Sequence, residues 1–262
     1  FRKGTALEAL ARADTVVLDK TGTLTRGKPT LVRVLPFGLS QEEALRLAAA
    51  LERGSEHPLA KAVLEAAESL PQAQAEEVRA LPGEGVEGRV EGRRLHLGGP
   101  ALMERLGVPL PEEAKALPEE GYTPLYLVEG TRLLAAFAVF DPPRPEAQEA
   151  VAALKALGLK LVLLTGDHPA PARRVAEALG IPEVLAGVRP EGKVEAIRRL
   201  QAEGRKVVFV GDGINDAAAL AQADVGLAMG SGTDIALEAG DVVLLTPDLR
   251  GVVNAVRLAR RT

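Results

Sequence analysis

The sequence contains no cysteine and no tryptophan, and aromatic residues make up only 3% of its 262 positions. Without cysteine there is no disulfide framework, no zinc ribbon and no thiol chemistry. With so few rings, the core must rest on Leu, Val and Ala. No apolar run approaches the roughly 20 residues that a membrane span requires, and no signal-peptide pattern opens the chain. A dominant charge is missing too. Lys and Arg number 32 against 36 Asp and Glu, and the net charge of −4 argues against nucleic acid as a partner. What is present is ordinary for a globular protein: 47% hydrophobic and 26% charged residues, over a length that suits one large domain or two modest ones. Phe1 stands where an initiator methionine would, which points to a piece of a longer protein.

Continuous apolar runs at 14–19, 160–164, 206–210, 224–228 and 241–245 read as buried strands of a parallel sheet. Helical patterns alternate with them at 145–157, 170–179, 191–203, 215–222 and 233–239. Pro145, Pro169 and Pro190 lie near helix starts, and Gly158, Gly180 and Gly204 just past helix ends. That alternation predicts a doubly wound α/β sheet. The middle of the chain is different. An amphipathic helix pair is expected over 41–52 and 58–69, and short strands over 76–80, 85–90 and 93–98. Two helical segments follow near 100–107 and 111–120, then a hairpin over 123–129 and 131–140 turning at Glu129–Gly130. This is α+β in character and interrupts the sheet after its first strand. Proline-rich junctions place the domains at 1–34 with 139–262, and at 35–138.

Ligands in an open α/β sheet sit at the carboxyl ends of the strands. Asp19, Thr165, Asp167, Asp212 and Asp216 fall there, from three strand ends far apart in sequence. Carboxylates crowded together repel one another and need a cation. Mg²⁺ is the usual partner of carboxylates that handle phosphate, and an oxygen-rich, cysteine-free set suits it better than a soft metal. Lys193, following Gly192 at a helix start, offers a second positive charge. A carboxylate can itself attack phosphorus to give an aspartyl phosphate, and neighbouring glycines let backbone N–H groups approach phosphate oxygens.

The run Asp19-Lys20-Thr21-Gly22-Thr23-Leu24-Thr25 resembles the phosphorylation signature of P-type cation-transporting ATPases, within the haloacid-dehalogenase-like superfamily. Asp141-Pro142-Pro143-Arg144, Thr165-Gly166-Asp167 and the GDGINDAAAL segment at 211–220 follow in the expected order. The resemblance covers essentially the whole chain, and DKTGTLT together with GDGIND is highly specific. Ala218 stands where the family usually has Pro, on a helix away from the chemistry. The resemblance implies a haloacid-dehalogenase-like doubly wound parallel sheet as a discontinuous phosphorylation domain, with an inserted α+β nucleotide-binding domain. It implies that Asp19 takes the γ-phosphoryl group of ATP. Mg²⁺ would be held by the Asp19 carboxylate, the Thr21 main-chain carbonyl and Asp212. Thr165 and Lys193 would contact the phosphoryl oxygens, Gly166 and Asn215 would line the same pocket, and Asp216 would support it. Asp141 and Arg144 would meet the nucleotide at the hinge, with Asp167 nearby. Many hydrolases of this superfamily carry a second Asp two residues after the nucleophile as general acid and base. Here that position is Thr21, so the acyl phosphate is expected to persist.

In the insert, Ser55-Glu56-His57-Pro58 opens a helix, and His57 alone reads as a cap or exposed loop residue. Beside DKTGTLT, the SEHPLA segment resembles the hallmark of the heavy-metal-transporting subgroup. The resemblance implies that His57 positions ATP and that Glu52 accepts from the adenine amino group. Gly83-Glu84-Gly85-Val86-Glu87-Gly88 formally matches GxGxxG. It lacks the preceding strand and following helix of a dinucleotide site, and on its own it is a glycine turn. By resemblance, Gly83 and Gly85 let backbone lie close to ATP, as do Gly98 and Gly99, the latter standing where Asn is usual. Residues 230–234 read as a loop with a helix cap. Residues 250–262 read as a solvated helix face, although basic residues near both ends would also suit the cytoplasmic flanks of membrane helices.

The expected protein is the cytoplasmic part of a heavy-metal pump, exporting Cu⁺ in its full form. Its membrane helices and actuator domain belong to the same polypeptide outside this segment, and a metallochaperone is a further partner of the full pump. A free-standing phosphatase of the same superfamily with a large cap is the rival. Thr21 and the SEHPLA segment weigh against it, and the intact acid set weighs against a non-catalytic nucleotide-binding regulator.

Overall fold

A computed structural model describes residues 4–211, 216–230 and 241–262. The chain divides into two units, one running to Gly27 and resuming at Pro142–Thr262, the other Lys28–Asp141.

The first unit is built on a six-stranded sheet. Its strands are β1 (Thr15–Asp19), β8 (Lys160–Leu164), β9 (Glu183–Leu185), β10 (Val207–Gly211), β11 (Val225–Met229) and β12 (Val242–Leu244). Their order is β12-β11-β10-β1-β8-β9, and every pairing is parallel. β1, β10 and β11 are buried along their whole length, which is why they are uninterrupted apolar runs. Helices α8 (Gly192–Ala202) and α9 (Ala217–Gln222) pack over Val17, Val162, Leu164 and Phe209 on one face. A second set contacts one another and the strands: α1 (Gly4–Arg12), α6 (Ala147–Ala156), α7 (Pro169–Leu179) and α10 (Arg250–Arg261). From β1 the chain steps to β8 and β9 on one side, then returns to β10, β11 and β12 on the other. β1 is therefore a topological switch point, and its carboxyl end opens into the crevice where such sheets bind ligands.

The second unit carries an antiparallel sheet in the order β2-β7-β6-β5-β4-β3. Its strands are β2 (Thr30–Pro36), β3 (Ala75–Leu81), β4 (Gly85–Val90), β5 (Arg93–Gly98), β6 (Thr123–Glu129) and β7 (Arg132–Phe140). Helices α2 (Gln41–Glu52) and α3 (Pro58–Ala66) bury Leu47, Leu51 and Val63 against Leu95, Leu97 and Phe137 on one face. On the other, α4 (Pro100–Leu106) and α5 (Glu112–Lys115) pack Leu102, Met103 and Ala114 against Tyr126 and Val128. Full burial of each such Leu, Met or Phe side chain is worth about 1.5–3 kcal/mol. Ser40 caps α2, its Oγ accepting from the Glu43 N–H at 3.1 Å, a contact worth about 1 kcal/mol.

The expected strands and most helices are present. The helix expected over 215–222 starts at Ala217, and the one over 233–239 lies outside the described residues. Three elements were not anticipated: α1, β2 and the three-residue β9. The proline-rich stretch that suggested a junction at 34/35 is the end of β2. Pro36 is tolerated there because β2 is an edge strand, paired only with β7. The units accordingly divide at 27/28 and 141/142, outside both strands. The segment expected as a helix over 111–120 is helical only as α5, with Pro118 lying in the turns that follow.

Candidate active site

Asp19 is the last residue of β1. Its register partner on β8 is Leu164, so Thr165 emerges one residue beyond Asp19 at the same sheet edge. Asp19 and Thr165 are both buried. Beyond Asp19 the chain makes a wide turn over Lys20–Leu24, closed by the Thr25 N–H donating to the Lys20 carbonyl at 3.0 Å. Gly22 has φ +80, a left-handed conformation that favours glycine and breaks the helical path. Thr21 is exposed on this turn.

Lys193, in the first turn of α8, reaches back to the end of β1. Its Nζ lies 3.0 Å from Asp19 Oδ1 and 3.0 Å from Asp216 Oδ1, and all three side chains are largely buried. Asp216 immediately precedes α9. Gly211, ending β10, leaves room for it, since a Cβ there would lie 2.8 Å from Asp216 Oδ2. Thr165 Oγ1 accepts from the Asp167 N–H at 3.1 Å, which leaves the hydroxyl proton free to point elsewhere. The Thr165–Asp167 segment is tied to 185–188 by backbone bonds, and a Cβ on Gly166 would crowd the Val188 carbonyl at 3.2 Å. Asp167 is ion-paired with Lys20 at 2.7 Å. Asp212 and Asn215 lie outside the described residues.

Electrostatics single out Asp19. Burial, and then the neighbouring Asp216 carboxylate, push its carboxyl up to about 8, against the lowering influence of Lys193. The Lys193 ammonium is held above its ordinary range by Asp19 and Asp216, although burial opposes this more strongly than either acid alone. With both carboxylates ionised, Asp19 and Asp216 against the single ammonium of Lys193 leave a surplus of one negative charge among the described residues of this buried place. An oxygen donor set with that surplus fits a hard divalent cation. Among the described residues, no three His, Asp or Glu side chains form a cation cage by themselves.

In the second unit the expected nucleotide residues fall into two groups. Glu52 ends α2, half-buried, its side chain without a hydrogen-bonding partner among the described residues, and burial pushes its carboxyl up to about 7. His57 caps α3, its Nδ1 accepting from the Leu59 N–H at 3.2 Å. A neutral His57 ring therefore carries its proton on Nε2. The second group surrounds the β4–β5 pairing, where Gly85 and Gly98 are register partners. A Cβ on Gly85 would meet the Leu97 carbonyl at 2.1 Å, and one on Gly98 would meet the Glu84 carbonyl at 2.1 Å. Both positions thus exclude any other residue for packing reasons alone. Gly83 and Gly99 border open space. The end of α2 adjoins β4, for a Cβ on Gly88 would touch Leu51 Cδ2 at 3.0 Å. Asp141 accepts from the Lys28 N–H at 3.1 Å, beside the β2–β7 ribbon.

The family model for haloacid dehalogenase-like hydrolases matches residues 13–224. The chain belongs to this family. Within it, the whole chain is 47% identical, over 268 residues, to "Copper-transporting ATPase 1" of Rhizobium meliloti (strain 1021), covering 32% of that protein. It is 42% identical to "Copper-exporting P-type ATPase B" of Archaeoglobus fulgidus, again over 100% of this chain and 38% of the relative. The chain thus spans about a third of the curated relatives it matches. Among solved structures, 98% of it superposes on 43% of a zinc-transporting PIB-type ATPase in the E2.Pi state, with a TM-score of 0.89 and 42% identity. It also matches a structure of the catalytic domain of the CPx-ATPase CopB-B described for its conformational changes upon nucleotide binding. There the TM-score is 0.76 and the identity 29%, covering 98% of this chain and 94% of the other.

Two features of this haloacid dehalogenase-like site escaped the sequence. Lys20 directly follows Asp19, yet its ion pair with Asp167 spans two loops. Arg144, expected at the nucleotide, places its guanidinium on the carbonyls of Gly22 and Thr23 at 2.8 and 2.9 Å. Adjacency to Asp19 could have flagged Lys20; no local pattern indicates what Arg144 holds.

Proposed function

We propose that the chain is the ATP-binding and phosphorylation portion of a heavy-metal P-type ATPase, and that Asp19 accepts the γ-phosphoryl group of ATP. The observation that carries this is the buried trio Asp19–Lys193–Asp216 at the carboxyl end of the switch-point strand. A carboxylate oxygen of Asp19 attacks the γ-phosphorus, the bond to the β–γ bridging oxygen breaks, and ADP leaves with that electron pair. The product is an acyl phosphate. Lys193 favours the ionised nucleophile and balances charge on the transferring group, and the free O–H of Thr165 donates to a phosphoryl oxygen. Asp19, the Thr21 carbonyl and Asp212 would hold Mg²⁺, which supplies charge neutralisation and a template for in-line geometry. Thr21 cannot relay a proton, so the intermediate persists.

Glu52, His57 and the glycine turns at 83–85 and 98–99 would receive the adenine and the triphosphate in the second unit. In the complete protein, with its membrane helices and actuator domain, the acyl phosphate would drive export of a heavy-metal cation. These units would then lie at the cytoplasmic face of the membrane. Similarity to proteins named as copper exporters supports Cu⁺ as the cargo. The zinc-transporting neighbour shows that this portion alone resembles pumps for either metal. The test is incubation with γ-labelled ATP and Mg²⁺. A hydroxylamine-sensitive label that disappears in Asp19→Asn is expected. Rapid release of phosphate from small phosphoesters, without a trapped label, would favour a phosphatase instead.

A further inference from the structure

The turn that follows Asp19 satisfies only part of its own backbone. Thr21 and Gly22 have non-helical torsions, so the carbonyls of Gly22, Thr23 and Leu24 project away from a regular ladder. All three are met by one residue. Arg144 donates Nη2–H to the Gly22 carbonyl at 2.8 Å, Nε–H to the Thr23 carbonyl at 2.9 Å, and its backbone N–H to the Leu24 carbonyl at 2.7 Å. A backbone bridge between Thr25 and Pro143 continues the same seam. Arg144 therefore reads three successive peptides of the phosphoryl-accepting turn.

We infer that Arg144 is a positioning residue for this turn, acting on Asp19 and Thr21 through the backbone rather than touching the nucleotide. The guanidinium is a rigid planar fork, and two of its N–H groups in adjacent directions are fixed on consecutive carbonyls. That orientation sets the peptide planes after Gly22 and Thr23. It limits the torsions available to the short stretch between them and Asp19. The surroundings of Arg144 agree. Asp248 is held below its usual carboxylate range chiefly by hydrogen bonds from Arg250, but also by the charge of Arg144. Part of the Arg144 charge is thus already answered inside the first unit. A lysine at this position would keep the charge and lose the fork.

The inference rests on Asp19 as phosphoryl acceptor, and its test separates the two. The 262-residue chain and its Arg144→Ala and Arg144→Lys variants are titrated with beryllium fluoride and Mg²⁺, read by ¹⁹F NMR as an acyl-phosphate mimic. Binding of a non-hydrolysable ATP analogue is measured separately by calorimetry in EDTA. Both variants are expected to lose capture of the mimic by at least about tenfold, the range typical of residues that orient a ligating group. Analogue affinity should stay within about twofold, since no nucleotide contact is removed. Thermal melts identify the variant that keeps its fold, and Arg144→Lys serves if Arg144→Ala does not. Wild-type capture by Arg144→Lys would overturn the inference, because charge alone would then suffice. Normal capture with a tenfold loss of analogue binding would overturn it too, returning Arg144 to the nucleotide. Absence of capture by the unmodified chain would instead remove Asp19 as the acceptor.

Discussion

Asp19→Asn should make the metal-free protein more stable, although it removes the proposed nucleophile. In the native chain two buried carboxylates, Asp19 and Asp216, share the single ammonium of Lys193 at 3.0 Å each. In the variant Lys193 retains Asp216, and the surplus negative charge is gone. Because the Asp19 carboxyl is pushed from 3.8 to about 8, the folded chain keeps a proton through this window that the unfolded chain has released. Unfolding then releases a proton, so native stability falls as pH rises from about 4 to about 8. At about 1.4 kcal/mol per pH unit, the whole displacement is worth on the order of 6 kcal/mol at most. Asp216 and Lys193 relax around the vacated charge, so a gain of about 2–4 kcal/mol above pH 8 is the working expectation. That is roughly 5–15 °C in the melting of a unit this size. Thermal melts in EDTA at pH 8.5, 7 and 5 measure it. The gap should be widest at pH 8.5, shrink toward pH 5, and narrow on addition of Mg²⁺, which would stabilise only the chain that binds it. A variant that melts at or below the native chain at pH 8.5 in EDTA would refute the electrostatic reasoning.

His57→Gln should weaken ATP binding measured by calorimetry while lowering stability by no more than about 1 kcal/mol, the value of a helix cap; unchanged affinity would remove His57 from the site. Glu52, pushed up to about 7 by burial, is protonated below that pH and becomes a stronger acceptor above it. ATP affinity should therefore rise a few-fold between pH 6 and 8 in the native chain relative to Glu52→Gln, and parallel profiles in the two proteins would contradict an adenine contact. Gly98→Ala must place a Cβ 2.1 Å from the Glu84 carbonyl and 2.6 Å from Leu102 Cδ2, so we expect a loss of about 3 kcal/mol or more in urea titration. Gly99→Ala, which meets nothing within 4 Å, should cost no more than about 1 kcal/mol, as expected at an N-cap; equal losses would mean that the close β4–β5 approach does not govern the site.

The sequence revealed the first sheet because strands buried on both faces are uninterrupted apolar runs, and β1, β10 and β11 are such strands. It hid β2 because an exposed edge strand with a terminal proline looks like a linker. It hid β9 because three half-buried residues carry no period. The site shows the same division. DKTGTLT, TGD and GDGIND name the acids, and parallel topology alone brings Asp19 and Thr165 to one edge. Which cation answers which acid depends on contacts between residues far apart in sequence. Lys193 lies 174 residues from Asp19 and Arg144 lies 122 from Gly22. Among the described residues Lys20 pairs with Asp167, while Asp19 and Asp216 divide Lys193 between them. Asp19 has only a share, and burial and the neighbouring Asp216 raise its carboxyl, so a further positive charge would favour its ionised form. If Asp19 accepts the phosphoryl group as proposed, a cation joining the site would favour its reactive, ionised form.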